Sequence, residues 1–239
     1  MMDMVCFQTV YKIDVQDFRL SVMWRKLQVK ALLIDLDGTI VNSRQAYLEA
    51  LKTAFNAIGQ KTVDIEIVTE IPRRLEQNLP IDNIMVGMDS KKFLDSYLKA
   101  YYDSTATKTK PLPNIKEALR KLSEKAKLAL ITMRYVSKEK VQEELEAFGI
   151  LRYFQTITTA LDGCSPKPSP EAFFKSAKQL GVDISRCAVV GDSVADVRAG
   201  KSAGAVTVAV LSGIFTEEEL EREKPDLILK SINELLNFL

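Results

Sequence analysis

The chain has 239 residues, 46% of them hydrophobic and 27% charged, with a formal net charge of +1. That composition suits a globular protein with one large domain, or a core and a smaller companion, and the balanced charge does not point to nucleic acid or an anionic membrane as partner. Histidine is absent, which excludes Ser-His-Asp and Cys-His nucleophile pairs, imidazole acid–base work and imidazole metal ligands.

Cys6, Cys164 and Cys187 are far apart and lack Cys-x-x-Cys spacing, which argues against a disulfide framework or a zinc site and fits a reducing compartment. Cys187 leads into Ala188-Val189-Val190, so it reads as a buried, inert thiol rather than a nucleophile. No apolar stretch approaches the roughly 18 residues of a membrane helix. Asp3, Lys12, Asp14 and Asp17 do not fit a signal peptide. A cytoplasmic location is the expectation.

Residues 1–28 form an extension with two readings. Val5 to Tyr11 is rich in β-formers and fits an edge strand. Alternatively, Met23 is the natural start. Ala31-Leu32-Leu33-Ile34 then leads into Asp35-Leu36-Asp37-Gly38-Thr39, a strand buried on both faces that delivers two carboxylates to a loop. Taken alone, the Asp-x-Asp pair is a turn former or a paired acid site.

From Arg44 to Ile58 the apolar residues follow a helical stripe closed by Gly59, and residues 63–78 and 89–102 also read as helices. No strand signal appears between residues 43 and 110. A run of helices inside an otherwise alternating chain predicts a separate helical unit over 44–109, with exits near Asn42-Ser43 and through the polar segment Thr105 to Thr109.

From Asn114 onward strand and helix alternate. Strands are expected at Leu128 to Thr132, Phe154 to Thr159, Cys187 to Val190, Val206 to Val210 and Leu227 to Leu229. Helices start at Asn114, Ser137, Ser169, about Ala195, Thr216 and Ser231, the last two with capping-box spacing to Glu219 and Glu234. The pattern predicts an α/β fold, a Rossmann-like parallel sheet flanked by helices, formed by residues 29–43 and 110–239.

In such a sheet the reactive crevice lies beyond the carboxyl ends of the strands. There stand Asp35, Asp37, Thr132, Lys167 in Pro166-Lys167-Pro168, and Asp192 and Asp196 in Gly191-Asp192-Ser193-Val194-Ala195-Asp196. Each has a bland reading alone: a strand-end hydroxyl, a solvated lysine, or helix-start acids. Together, carboxylates without nitrogen or sulfur ligands suit a hard cation such as Mg²⁺, and a lysine and a hydroxyl beside it suit an incoming phosphoryl group.

These motifs resemble the haloacid dehalogenase superfamily, in its phosphatase branch with a helical cap after the first strand. The resemblance rests on Asp35-Leu36-Asp37-Gly38-Thr39, Leu130-Ile131-Thr132, Lys167-Pro168-Ser169-Pro170-Glu171, and Gly191 to Asp196 continuing to Ala205, and it spans residues 29–239. It implies Asp35 as nucleophile through an aspartyl-phosphate and Asp37 as acid and base. It implies Mg²⁺ on Asp35, the Asp37 carbonyl and Asp192, with Thr132 and Lys167 on the phosphoryl oxygens and Asp196 orienting water or Lys167 behind them. An acid at Asp37 favours phosphate-ester chemistry over carbon–halogen cleavage.

The implied activity is hydrolysis of a small phosphorylated metabolite, phosphoglycolate-like or a sugar phosphate. A sugar phosphomutase or pyrophosphatase is the alternative, and a silent binding protein the remote one. Asn42 stands where relatives often have Asp, and Met133-Arg134 follows Thr132 where a small or amide residue is commoner. Arg134 is a candidate for a substrate anion or a surface ion pair. Arg73 and Arg74 are candidates to read a substrate carboxylate or second phosphate from the cap, or to line a solvated helix face.

Overall fold

The computed structural model describes residues 26–61 and 65–239. The expected strand at Val5 to Tyr11 and the question of Met23 fall outside these residues. Six parallel strands form one sheet: β1 (Ala31–Asp35), β4 (Lys127–Ile131), β5 (Thr156–Thr158), β6 (Cys187–Gly191), β7 (Val206–Val210) and β8 (Leu227–Leu229), in the order β5-β4-β1-β6-β7-β8.

β1 sits between β4 and β6, with Asp35 opposite Ile131 and Ile34 opposite Val190. It is buried along its whole length, as its unbroken apolar run requires. Leu32 and Ile34 join one core layer against α4 (Ile115–Ser123) and α5 (Lys138–Ala147). Ala31 and Leu33 join the opposite layer against α6 (Glu171–Leu180) and α7 (Val194–Ala203). Neighbouring strands run on either side of β1 in opposite order, so a crevice opens at the carboxyl ends of β1, β4 and β6.

Between β1 and β4 lie α1 (Arg44–Ala57), α2 (Ile65–Glu76) and α3 (Ser90–Lys108). They share a core of their own, with Ala50, Leu51 and Phe55 of α1 against Ile71 of α2 and Phe93, Tyr97 and Tyr101 of α3. The chain enters and leaves this unit through a two-strand antiparallel ribbon, β2 (Val41–Asn42) with β3 (Lys110–Pro111).

The expected helix end near residue 102 is corrected: α3 continues to Lys108. The hydroxyls of Ser104, Thr105, Thr107 and Thr109 donate to carbonyls three or four residues back, so the polar run stays helical by bonding its own backbone. A second correction concerns Ser231. The segment Ile232–Phe238 is a 3₁₀ helix, and the Ser231 side chain makes no cap bond. The box at Thr216, opening α8 (Glu217–Arg222), is formed.

Candidate active site

β1 ends at Asp35, and the chain then turns back on itself, with Gly38 N–H donating to the Val41 carbonyl at 2.8 Å. Gly38 has φ +78, and a Cβ there would collide with the Asp192 carboxylate, so glycine is required on both counts. A Cβ at Gly213 would likewise collide with Asp192, and one at Gly191 with Asp196.

Asp35, Asp192 and Asp196 are buried, and each offers an oxygen within 4.8 Å of the other two. Lys167 Nζ lies 2.5 Å from Asp35 Oδ1 and 2.6 Å from Asp196 Oδ1. Asp196 also closes a capping box at the start of α7, taking the Ser193 hydroxyl at 2.6 Å. Thr39 donates to Asp192 at 3.2 Å.

Burial pushes the Asp35 carboxyl up to about 8, against the pull of Lys167 and with help from Asp196. Burial also raises Asp192 well above the carboxylate range, with Glu76 and Asp35 adding to it. Lys167 is held charged well above its usual value because the two carboxylates outweigh the cost of burial.

Asp37 is held differently. Arg134 Nη2 and Nε donate to its two oxygens at 2.6 and 2.8 Å, and the Ser43 hydroxyl adds a third bond. Burial pushes the Asp37 carboxyl up, but Arg134 overrides it and holds the group below the usual carboxylate range. Arg134 is only 2% exposed, and its Nη1 donates to Glu144 at 2.5 Å. Glu144 in turn accepts from Thr109, at the exit of the helical unit.

A cleft of about 180 Å³ opens over these groups, lined on the sheet side by Asp35, Asp37, Thr132, Arg134 and Lys167. Tyr47, Glu76, Tyr97, Tyr101 and Tyr102 from the helical unit line its other wall. Tyr47 donates to Glu76 at 2.8 Å. Burial, with Asp35 and Asp196 nearby, raises Glu76 to about 8 against that hydrogen bond. The arrangement brings the Asp35 carboxyl, the Lys167 amine and the Thr132 hydroxyl to the wall of one small cavity.

A family model described as haloacid dehalogenase-like hydrolase matches residues 32–210. The chain belongs to this family. Among curated relatives it is 26% identical to phosphoglycolate phosphatase of Aquifex aeolicus, covering 88% of this chain and 97% of that one. It is 25% identical to pyrophosphatase PpaX of Halalkalibacterium halodurans, covering 88% and 97%. In fold it matches a haloacid dehalogenase-like hydrolase of Streptococcus pneumoniae with TM-score 0.74 at 20% identity, covering 87% and 97%.

In this hydrolase the core motifs Asp35, Asp37, Thr132, Lys167, Asp192 and Asp196 converge as one constellation. Three expected substrate residues, Arg134, Arg73 and Arg74, are paired with carboxylates. Arg134 is neither a surface ion pair nor free for an anion, because Asp37 and Glu144 occupy its donors. Arg73 pairs with Glu219 and lies over Phe215, while Arg74 binds Glu70, Asn83 and the Pro80 carbonyl, so neither lines the cleft.

Sequence reasoning missed Glu144, Glu76, Ser43 and Gly213. Glu144 had a signal: it shares the helical stripe of Val141, Leu145 and Phe148, where a carboxylate must have a partner. Cys187 is buried and its thiol pushed up to about 11, chiefly by burial. Among the described residues, no helix is long and apolar enough to cross a membrane.

Proposed function

We propose that this hydrolase is a Mg²⁺-dependent phosphatase of small phosphate monoesters, working through an aspartyl-phosphate on Asp35. The observation that carries the reading is the convergence of Asp35, Asp192 and Asp196 beside Lys167, with Asp37 and Thr132 on the same cleft. The donor set fits the cation: it is oxygen-only and buried, with three carboxylates that each offer an oxygen within 4.8 Å of the others. Asp35, the Asp37 carbonyl and Asp192 would hold it, and Mg²⁺ there supplies charge neutralisation to the phosphoryl oxygens and the nucleophile.

The chain's own groups divide the reaction. Lys167 and Thr132 bind phosphoryl oxygens, and Asp35 Oδ attacks phosphorus as the bond to the leaving alcohol oxygen breaks. The negative phosphoryl group, on entering, favours the protonated form of Asp37, which takes up a proton and gives it to that oxygen. In the second half it takes a proton from the water that displaces Asp35, releasing phosphate. Two hydrogen bonds from Arg134 favour the ionised Asp37 that the second half uses. Asp196 keeps Lys167 placed, and the helical unit over 44–109 acts as a cap that excludes water.

The experiment is a phosphatase screen with Mg²⁺, with chelator, and with Asp35→Asn. Mg²⁺-dependent phosphate release that chelator and the variant abolish is expected; full activity in either control sinks the reading. Conversion of a hexose 1-phosphate to its isomer without free phosphate identifies a mutase instead.

A further inference from the structure

The walls of the cleft carry information about the leaving group. A second anion on the substrate, a carboxylate or another phosphate, needs a cation to meet it. Among the described residues the cleft is lined by two cations, Lys167 and Arg134, and each is already shared by two carboxylates. Arg73 and Arg74 point elsewhere. Arg44 lines a smaller neighbouring cavity and gives its Nη2 to the Gly213 carbonyl at 3.1 Å.

The cap contributes the opposite chemistry. Glu76 faces the cleft, and around it stand Tyr47, Tyr97 and Tyr101. Tyr101 stacks on Tyr47 with ring centroids 5.0 Å apart and on Tyr97 at 6.2 Å. An ammonium group beside Glu76 favours the ionised form of that carboxyl and pairs with it, whereas the tyrosine rings, stacked on one another, offer an anion no charge to meet. The cavity, about 180 Å³, is small against the ~300–1,000 Å³ of drug-sized pockets, so phosphate and a short alcohol fill it.

We propose that the cleft selects phosphate monoesters of short alcohols carrying an ammonium group, received by the Glu76 carboxylate in the wall it shares with Tyr47, Tyr97 and Tyr101. Alcohols bearing a second anion are rejected. This rests on the phosphatase reading and narrows it. It also separates the chain from relatives whose names specify phosphoglycolate or pyrophosphate, both of which carry a second anion. The phosphoryl group enters a centre where Asp35, Asp37, Asp192 and Asp196 already stand, so a positive charge on the alcohol offsets like-charge repulsion that a carboxylate increases.

Three short esters that differ in the charge of the alcohol test it: 2-aminoethyl, ethyl and carboxymethyl phosphate, compared by kcat/KM with Mg²⁺, with p-nitrophenyl phosphate as a general substrate. The aminoethyl ester is expected to exceed the ethyl ester by about tenfold, within the reach of one hydrogen bond to a charged group, and the carboxymethyl ester to come last. Glu76→Gln lowers the aminoethyl-to-ethyl ratio, and Glu76→Lys moves carboxymethyl phosphate to the front.

A carboxymethyl ester turned over as well as the aminoethyl ester overturns the proposal, as does a ratio that Glu76→Gln leaves unchanged. If p-nitrophenyl phosphate is cleaved while the order fails, the phosphatase reading stands without this one. If no ester is cleaved with Mg²⁺, both fall.

Discussion

Arg134 grips Asp37 through two hydrogen bonds, at 2.6 and 2.8 Å, while its third contact goes to Glu144. Two anions thus share one buried guanidinium. Arg134→Met leaves both carboxylates unpaired and is expected to cost about 3–5 kcal/mol of stability. Replacing Glu144 as well, in Arg134→Met with Glu144→Met, removes one stranded charge and recovers part of that loss. Denaturant unfolding of the three proteins checks it; a double variant no more stable than the single one refutes the pairing.

Arg134→Lys keeps the charge but cannot reproduce the two-pronged bond. With its ionised form less favoured, Asp37 takes up protons at higher pH, so the limb of the pH–kcat/KM profile set by Asp37 moves upward. An unmoved or lowered limb contradicts the assignment.

Asp37→Asn removes the proton carrier and is expected to slow hydrolysis of alkyl phosphates by about 10²–10⁴-fold. Esters of p-nitrophenol, whose leaving oxygen needs no proton, should lose much less in the step that forms the enzyme ester. Single-turnover release of p-nitrophenol and of an alkyl alcohol measures the difference. Equal losses would remove Asp37 from the acid role.

Asp35 and Glu76 sit at about 8 in the folded protein, against an unfolded carboxyl value of about 4. The folded state then holds protons that the unfolded chain has released. Their contribution to stability is complete below pH about 4 and is lost as pH rises through about 8, with a slope of up to about 1.4 kcal/mol per pH unit for each proton. In chelator, Tm should fall between pH 6 and 9. Saturating Mg²⁺ should flatten that fall by keeping Asp35 ionised. A metal-free Tm that rises over this range is the contrary result.

Gly213 has no side chain because the Asp192 carboxylate fills the space where a Cβ would stand. Gly213→Ala should displace Asp192 and weaken Mg²⁺ binding by about 10–100-fold, the usual size of a disturbed ligand support. Calorimetric titration with Mg²⁺ tests it; unchanged affinity excludes Asp192 from the cation site.

The sheet and the core motifs were legible because their signals are local. β1 is an unbroken apolar run, and its acids stand at the strand end where the crevice must be. Arg134 was misread because its role depends on Glu144, ten positions on and carried back by a helix. Arg73 and Arg74 were placed on the right helix, but the direction of a side chain follows from packing, and Glu219 draws Arg73 away. The extent of α3 depended on hydroxyls bonding their own backbone, which composition alone reads as a linker.

The ribbon of Val41-Asn42 with Lys110-Pro111 places the two crossings of the helical unit side by side, with Asn42 opposite Lys110. Ends one ladder spacing apart, ~5 Å, can be rejoined by a tight turn or by any insert whose termini lie equally close. The sheet with its acids is thus a socket, and the segment between Asn42 and Lys110 is a cartridge. Exchanging residues 44–108 by grafting, with Ser43 and Thr109 kept for their bonds to Asp37 and Glu144, should change which alcohol leaves while the phosphate-handling groups on β1, β4 and β6 stay where they are.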